Sequence, residues 1–170
     1  MHKINIFLSE YSKLMLQKLM EADVDGLVRA PRYARTSKRL VQRNGYRLRV
    51  FRMSLGSVML RVPKLRRGTY YPSFLARPET TALLLANWLR NALEGRATKQ
   101  LLRDTVAALD LRGVHSQQLD KLFHDLRNSI TIPSRTSRLQ AQLDAALISI
   151  CQASTAAIIA SAGFPPAQRG

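Results

Sequence analysis

Apolar residues recur every three to four positions at both ends of this chain, and every second position in only one short window between them. Towards the N-terminus, Phe7, Tyr11, Leu14, Met15, Leu19 and Ala22 fall on one helical face, and Gly26 and Pro31 mark where that helix should stop. In the window, Leu48 and Val50 alternate with Arg47 and Arg49. Across a turn at Ser54-Leu55-Gly56-Ser57, Val58, Leu60 and Val62 alternate with Met59 and Arg61. The period of two predicts a β-hairpin with one dry side and one basic side. Asn44-Gly45 reads as a turn, and Pro63 as the stop of the second strand.

From Glu79 the period returns to 3.6. Leu85, Trp88, Leu89 and Ala92 line a first helix, with Trp88 expected in the core. Thr98 is placed to cap a second helix, with Leu102, Val106 and Leu109 inward. A turn at Gly113 precedes a third helix striped by Leu119, Leu122, Phe123, Leu126 and Ile130 and ended by Pro133. A last helix is expected over Ser137–Ser161. Leu139, Leu143, Leu147, Ile150 and Ile158 lie on one side of it and Ile148 and Ile159 on the other, a surface wide enough to need a cover. The expected fold is mostly α: an N-terminal helix, a basic β-hairpin, a helix-turn-helix-like three-helix bundle and an appended C-terminal helix. The expected regions are 1–78, 79–132 and 133–170.

Charge narrows the function. Between Leu27 and Glu79 there are fourteen Lys/Arg and no acid, whereas the rest of the chain holds 13 basic and 11 acidic residues. Such a block repels itself unless a polyanion neutralises it, and nucleic acid is the usual polyanion. Cys151 is the only cysteine, so intrachain disulfides and cysteine-rich zinc sites are excluded and a reducing, cytoplasmic setting fits. No signal peptide or membrane span is expected.

The candidate contacts follow from side-chain chemistry. Arg43, Arg47, Arg49, Arg61, Lys64, Arg66 and Arg67 can fork onto phosphates, and Tyr70 and Tyr71 can pack on sugar or base. On the third helix of the bundle, Gln117, Lys121, His124 and Asn128 should point away from the apolar stripe, where Gln and Asn suit adenine and Lys suits guanine. His115 and His124 are too far apart on one helix to share a metal. Asp104, Asp110, Asp120 and Asp125 read as solvated helix charges, and Cys151 as an inert apolar position.

The run Arg43-Asn44-Gly45-Tyr46-Arg47, followed by Leu55–Leu75 with its Pro63-Lys64-Leu65-Arg66-Arg67-Gly68 centre, resembles the N-terminal part of the Mutator-type transposases of bacterial insertion sequences. Gly113, Val114, Gln118, Lys121 and Leu122 occupy places that match that family's helix-turn-helix, and the resemblance covers roughly residues 14–132. It implies a bacterial, cytoplasmic, DNA-associated protein that recognises the terminal repeats of an insertion element as double-stranded DNA. It also implies a downstream catalytic domain whose Asp, Asp and Glu bind divalent Mg. Those three positions have no counterpart here, so no cofactor is expected in this chain. A truncated product, catalytically inactive alone, is the leading expectation. The alternatives are a stand-alone DNA-binding inhibitor or regulator of transposition, and a non-specific nucleic-acid binder. The tail after Pro133 is expected to lie outside the family and to offer a homo-oligomer surface.

Overall fold

The computed structural model describes residues 2–31, 33–130 and 137–161. Five helices and one hairpin follow in order: α1 (His2–Val28), β1 (Arg43–Met53), β2 (Gly56–Leu65), α2 (Pro78–Leu93), α3 (Lys99–Ala108), α4 (Ser116–Asn128) and α5 (Ser137–Ser161). A single 3₁₀ turn at Ser73–Ala76 leads into α2. The mostly α architecture is therefore as expected.

α1 is the keel. Leu8, Tyr11, Met15, Leu16, Leu19, Met20, Val24 and Val28 are buried along it, a broad stripe because the helix is covered from more than one side. Leu14, expected inside, is exposed. α1 lies along β2 in the same direction. Gly56 sits against Ser9, Arg61 is bonded to Gln17, and Tyr46, opposite Pro63, reaches Glu21. Twelve helical residues rise about 18 Å and seven strand residues about 23 Å, so the two elements keep pace.

Gly26 does not stop the helix, which runs on to Val28. It ends in a Schellman arrangement, Ala30 N–H to Asp25 C=O at 3.2 Å and Arg29 N–H to Gly26 C=O at 3.1 Å, with Arg29 in the left-handed region at φ 55°. The same motif closes α2 with Gly95 and α3 with Asp110. Gly26 is instead required for space. A Cβ there would overlap the Gly113 carbonyl, and one on Gly113 would overlap the Asp23 carbonyl. The two glycines let α1 dock backbone to backbone on the α3–α4 turn.

The hairpin corrects three expectations. First, Met53 pairs with Gly56 around a two-residue loop, but Asn44-Gly45 is no turn. Both lie inside β1, where the register shifts between Arg43 and Tyr46 and Gly45 takes φ 75°, a β-bulge. Second, β2 passes through Pro63 to Leu65. Pro63 has the parity of Arg61, whose N–H points away from β1 to Gln17, so the N–H that proline lacks is not one the ladder uses. Third, the dry side is wrong for β1. Arg49 pairs with Leu60 and Arg47 with Val62, so these arginines share the inner face with the buried Val58, Leu60 and Val62, while Leu48 and Val50 face outward.

The same parity leaves the two edges of the sheet unequal. Gln17 closes the β2 edge by accepting from Arg61 N–H at 3.1 Å and donating to Arg61 C=O at 2.9 Å. The backbone groups of Leu48, Val50 and Arg52 point out of the β1 edge and find no hydrogen-bond partner among the described residues.

The helical region follows the sequence closely. Thr98 caps α3 by accepting Leu101 N–H at 3.1 Å. Trp88 is fully buried, donates to the Tyr11 hydroxyl at 2.9 Å and meets Phe123 edge to face at 6.2 Å. α4 stops at Asn128, before Ile130, and Pro133 lies outside the described residues. α5 covers α2, burying Leu143 and Leu147, and Ile148 faces out. The side chains of Leu139 and Ile159 lie outside the described set. Among the described residues no helix is long and apolar enough to cross a membrane.

Candidate nucleic-acid interface

The basic block divides into cations that are built in and cations that are displayed. Arg43 is built in. Its side chain is 11% exposed and pairs with Asp25, and with Glu21 at 3.8 Å. α1 thus supplies counter-charge that the local sequence lacks. Arg47 is half-buried and donates to the Tyr70 carbonyl. Tyr70 is also interior. Its hydroxyl donates to Asp23 at 2.8 Å, and burial with the neighbouring Asp23 charge holds its phenol well above the usual range.

Asp23 joins three elements. From the inner face of α1 it accepts Tyr70 O–H through Oδ2 and Gly113 N–H through Oδ1 at 2.6 Å. Burial raises its carboxyl above the ordinary value, although both hydrogen bonds pull the other way. Glu21 similarly accepts from the Tyr46 hydroxyl at 2.8 Å. These acids escaped the sequence reading. The signal available was an acid at position 23, flanked by Met20 and Val24 on a buried stripe.

Arg49, Arg61, Lys64, Arg66 and Arg67 are displayed. They are exposed and have no salt bridge to an acid among the described residues. The Arg61 guanidinium lies over the Tyr46 ring at 4.5 Å. Arg66 donates to Gln42 at 2.9 Å. Tyr71, 45% exposed, is flanked by Arg49 at 5.2 Å and Arg47 at 6.0 Å, so cation–π contact holds an aromatic face beside two guanidinium groups.

On α4, Gln117, Lys121, His124 and Asn128 are all exposed and Leu119, Leu122, Phe123 and Leu126 are buried. The amide of Gln118 accepts His115 N–H at 2.7 Å and fixes the start of the helix. A groove at this end of α4 is lined by Arg29, Pro31, His115, Gln117 and Lys121. The acid in its lining, Asp25, is engaged by Arg43, and the acids of α4 are engaged as well, Asp120 with Lys99 at 2.7 Å and Asp125 with Lys18 at 3.8 Å. Lys99 holds the Asp120 carboxyl below its ordinary value, and Arg112 does the same for Asp110. Burial pushes the Cys151 thiol up.

The profile of the Mutator family of transposases matches residues 2–152. The chain belongs to the Mutator family of transposases. The match runs well into α5, so this family's pattern does not stop at residue 133 as the sequence reading expected. The transposase for insertion sequence element IS1081 of Mycobacterium tuberculosis is 30% identical over 129 residues, covering 76% of this chain and 27% of that protein. The transposase for insertion sequence element IS256 in transposon Tn4001 of Staphylococcus aureus is 32% identical over 88 residues, covering 51% of this chain and 23% of that protein. The chain therefore spans about a quarter of the length of these relatives. No solved structure matches it.

Among the described residues, the acids present do not fit the divalent Mg that the family resemblance implies. Glu21 and Asp25, the acids that converge, are occupied by Arg43, and no group of three or more His, Cys, Asp or Glu is gathered among the described residues.

Proposed function

We propose that this chain is a DNA-binding portion of a Mutator-family transposase that grips double-stranded DNA at the ends of an insertion element. The observation that carries the reading is the set of displayed cations, Arg49, Arg61, Lys64, Arg66, Arg67 and Lys121, exposed and without salt bridges among the described residues. The first five surround the hairpin and approach phosphates, with Tyr71 packing on sugar or base. α3, its turn and α4 act as a helix-turn-helix, with Gln117, Lys121 and Asn128 presented to base edges. Arg43, Arg47 and Tyr70 support this surface from within.

Titration of a fluorescent duplex bearing the element's terminal repeat, against a scrambled duplex, tests the reading across a salt series. About six neutralised phosphates give a log–log slope near −5. Tighter binding to the terminal repeat is expected. A flat salt response would remove the proposal, and equal affinity for both duplexes would reduce it to non-specific binding.

A companion proposal concerns assembly. The outer face of α5, where Ile148 is exposed, joins copies of the chain. Sedimentation should then give a mass above that of one chain, restored to the single-chain value by Ile148→Lys. A single-chain mass for the unaltered protein would discard the idea.

A further inference from the structure

We infer that the outward face of the hairpin enters the major groove and reads thymine 5-methyl groups through Leu48, Val50 and Met59. The inference rests on the DNA-binding reading above and adds a mode of recognition to it. The pairing register sets Val50 opposite Met59 and Leu48 opposite Arg61, so the three apolar side chains adjoin on one face. They are 67%, 51% and 46% exposed for Leu48, Val50 and Met59. The core does not need them, because the inner face already buries Phe51, Val58, Leu60 and Val62. Phosphate contact does not need them either, since an aliphatic or thioether side chain offers a phosphate oxygen no hydrogen-bond donor.

Shape and charge select the occupant. Two paired strands lie about 5 Å apart, and a two-stranded ribbon fits a major groove about 12 Å wide. In that groove the thymine methyl is the apolar group that base pairs present. Arg52 lies at one end of the patch and Arg61 at the other, both exposed and placed to meet flanking phosphates or guanine. The acids bonded to the hairpin, Glu21, Asp25 and Glu79, are engaged by Tyr46, Arg43 and Ser54. A second copy of the chain would set Arg52 and Arg61 against their own counterparts, an unfavourable pairing.

The test compares alternating poly(dA-dT) duplex with poly(dA-dU) duplex, which differ in the 5-methyl group. Each methyl buried against the patch is worth about fourfold in affinity, so the unaltered protein should bind the thymine polymer at least that much more tightly. The doubly substituted Leu48→Ser, Val50→Ser protein, which keeps Met59, should lose most of that preference and keep the salt slope of the unaltered protein. Its changes fall on exposed side chains, and circular dichroism checks that it stays folded. Equal binding of the two polymers by the unaltered protein, with the salt slope intact, would overturn the groove reading and leave DNA binding standing. Absence of salt-dependent binding to either polymer would overturn both. A dimer dissolved by Leu48→Glu would assign the face to a second copy and overturn the inference as well.

Discussion

The hairpin and the α3–α4 unit both dock on α1, but they do so with different chemistry. The hairpin is tied by polar side chains: Gln17 to Arg61, Glu21 to Tyr46, and Glu21 and Asp25 to Arg43. The α3–α4 turn is seated by close backbone approach at Gly26 and Gly113, and α4 is further linked through Lys18 and Asp125. The helical unit also neutralises charge internally, through Lys99 with Asp120 and Arg112 with Asp110. The hairpin sends its remaining cations outward. A surface meant to hold a polyanion by charge is best left without local acids, whereas a surface meant to discriminate bases gains from fixed geometry.

Substitutions at three sites separate the two joints, in descending order of effect. Gly26→Ala forces a methyl into the Gly113 carbonyl and should cost about 3 kcal/mol in urea denaturation, because backbone rather than a flexible side chain must yield. Loss below about 1 kcal/mol would mean the seat is loose. Asp23→Ala removes the acceptor shared by Tyr70 and Gly113 and should cost about 2 kcal/mol. Asp23→Asn keeps an acceptor for Gly113 N–H and should cost less.

The same pair carries a pH signature. The Asp23 carboxyl titrates above its ordinary 3.8 in the folded protein. Between the unfolded and folded values the native state binds more protons, so this group's contribution to stability falls as pH rises through that window. Denaturation midpoints measured from about pH 4 to pH 7 should show that component flattened in Asp23→Asn. An unchanged profile would mean that Asp23 is not its source. Smallest is Gln17→Ala, which opens the β2 edge at Arg61. Two partly exposed hydrogen bonds are worth about 1 kcal/mol together. Amide exchange should speed up at Arg61 and leave the α3–α4 turn unchanged.

The helical half was legible because its signals are local. The span Ser137–Ser161 for α5, the Thr98 cap and the α4 stripe each depend on residues within a few turns of one another. The hairpin was legible as an element but not in its faces. Arg47 and Arg49 sit on the inner side because the returning chain offers the Tyr70 carbonyl and the Tyr71 ring, partners more than twenty residues away. Alternation cannot reveal them. Gly26 and Pro63 were read as stops and Asn44-Gly45 as a turn by residue type, yet each continues an element for a tertiary reason: space, an edge-facing nitrogen and a bulge. The acid-free stretch was read as lacking counter-ions, and α1 provides them across the fold for Arg43.

The unpaired side of β1 has a consequence for how the protein behaves when it is handled. Pro63 and Gln17 block sheet growth on the far side, so any additional strand must add next to Leu48, Val50 and Arg52. In dilute buffer the mutual repulsion of the arginines keeps copies from templating on one another. Concentrated salt, the usual means of stripping bound nucleic acid during purification, also screens that repulsion. The preparation freed most completely of polyanion is thus the one most exposed to strand-by-strand aggregation.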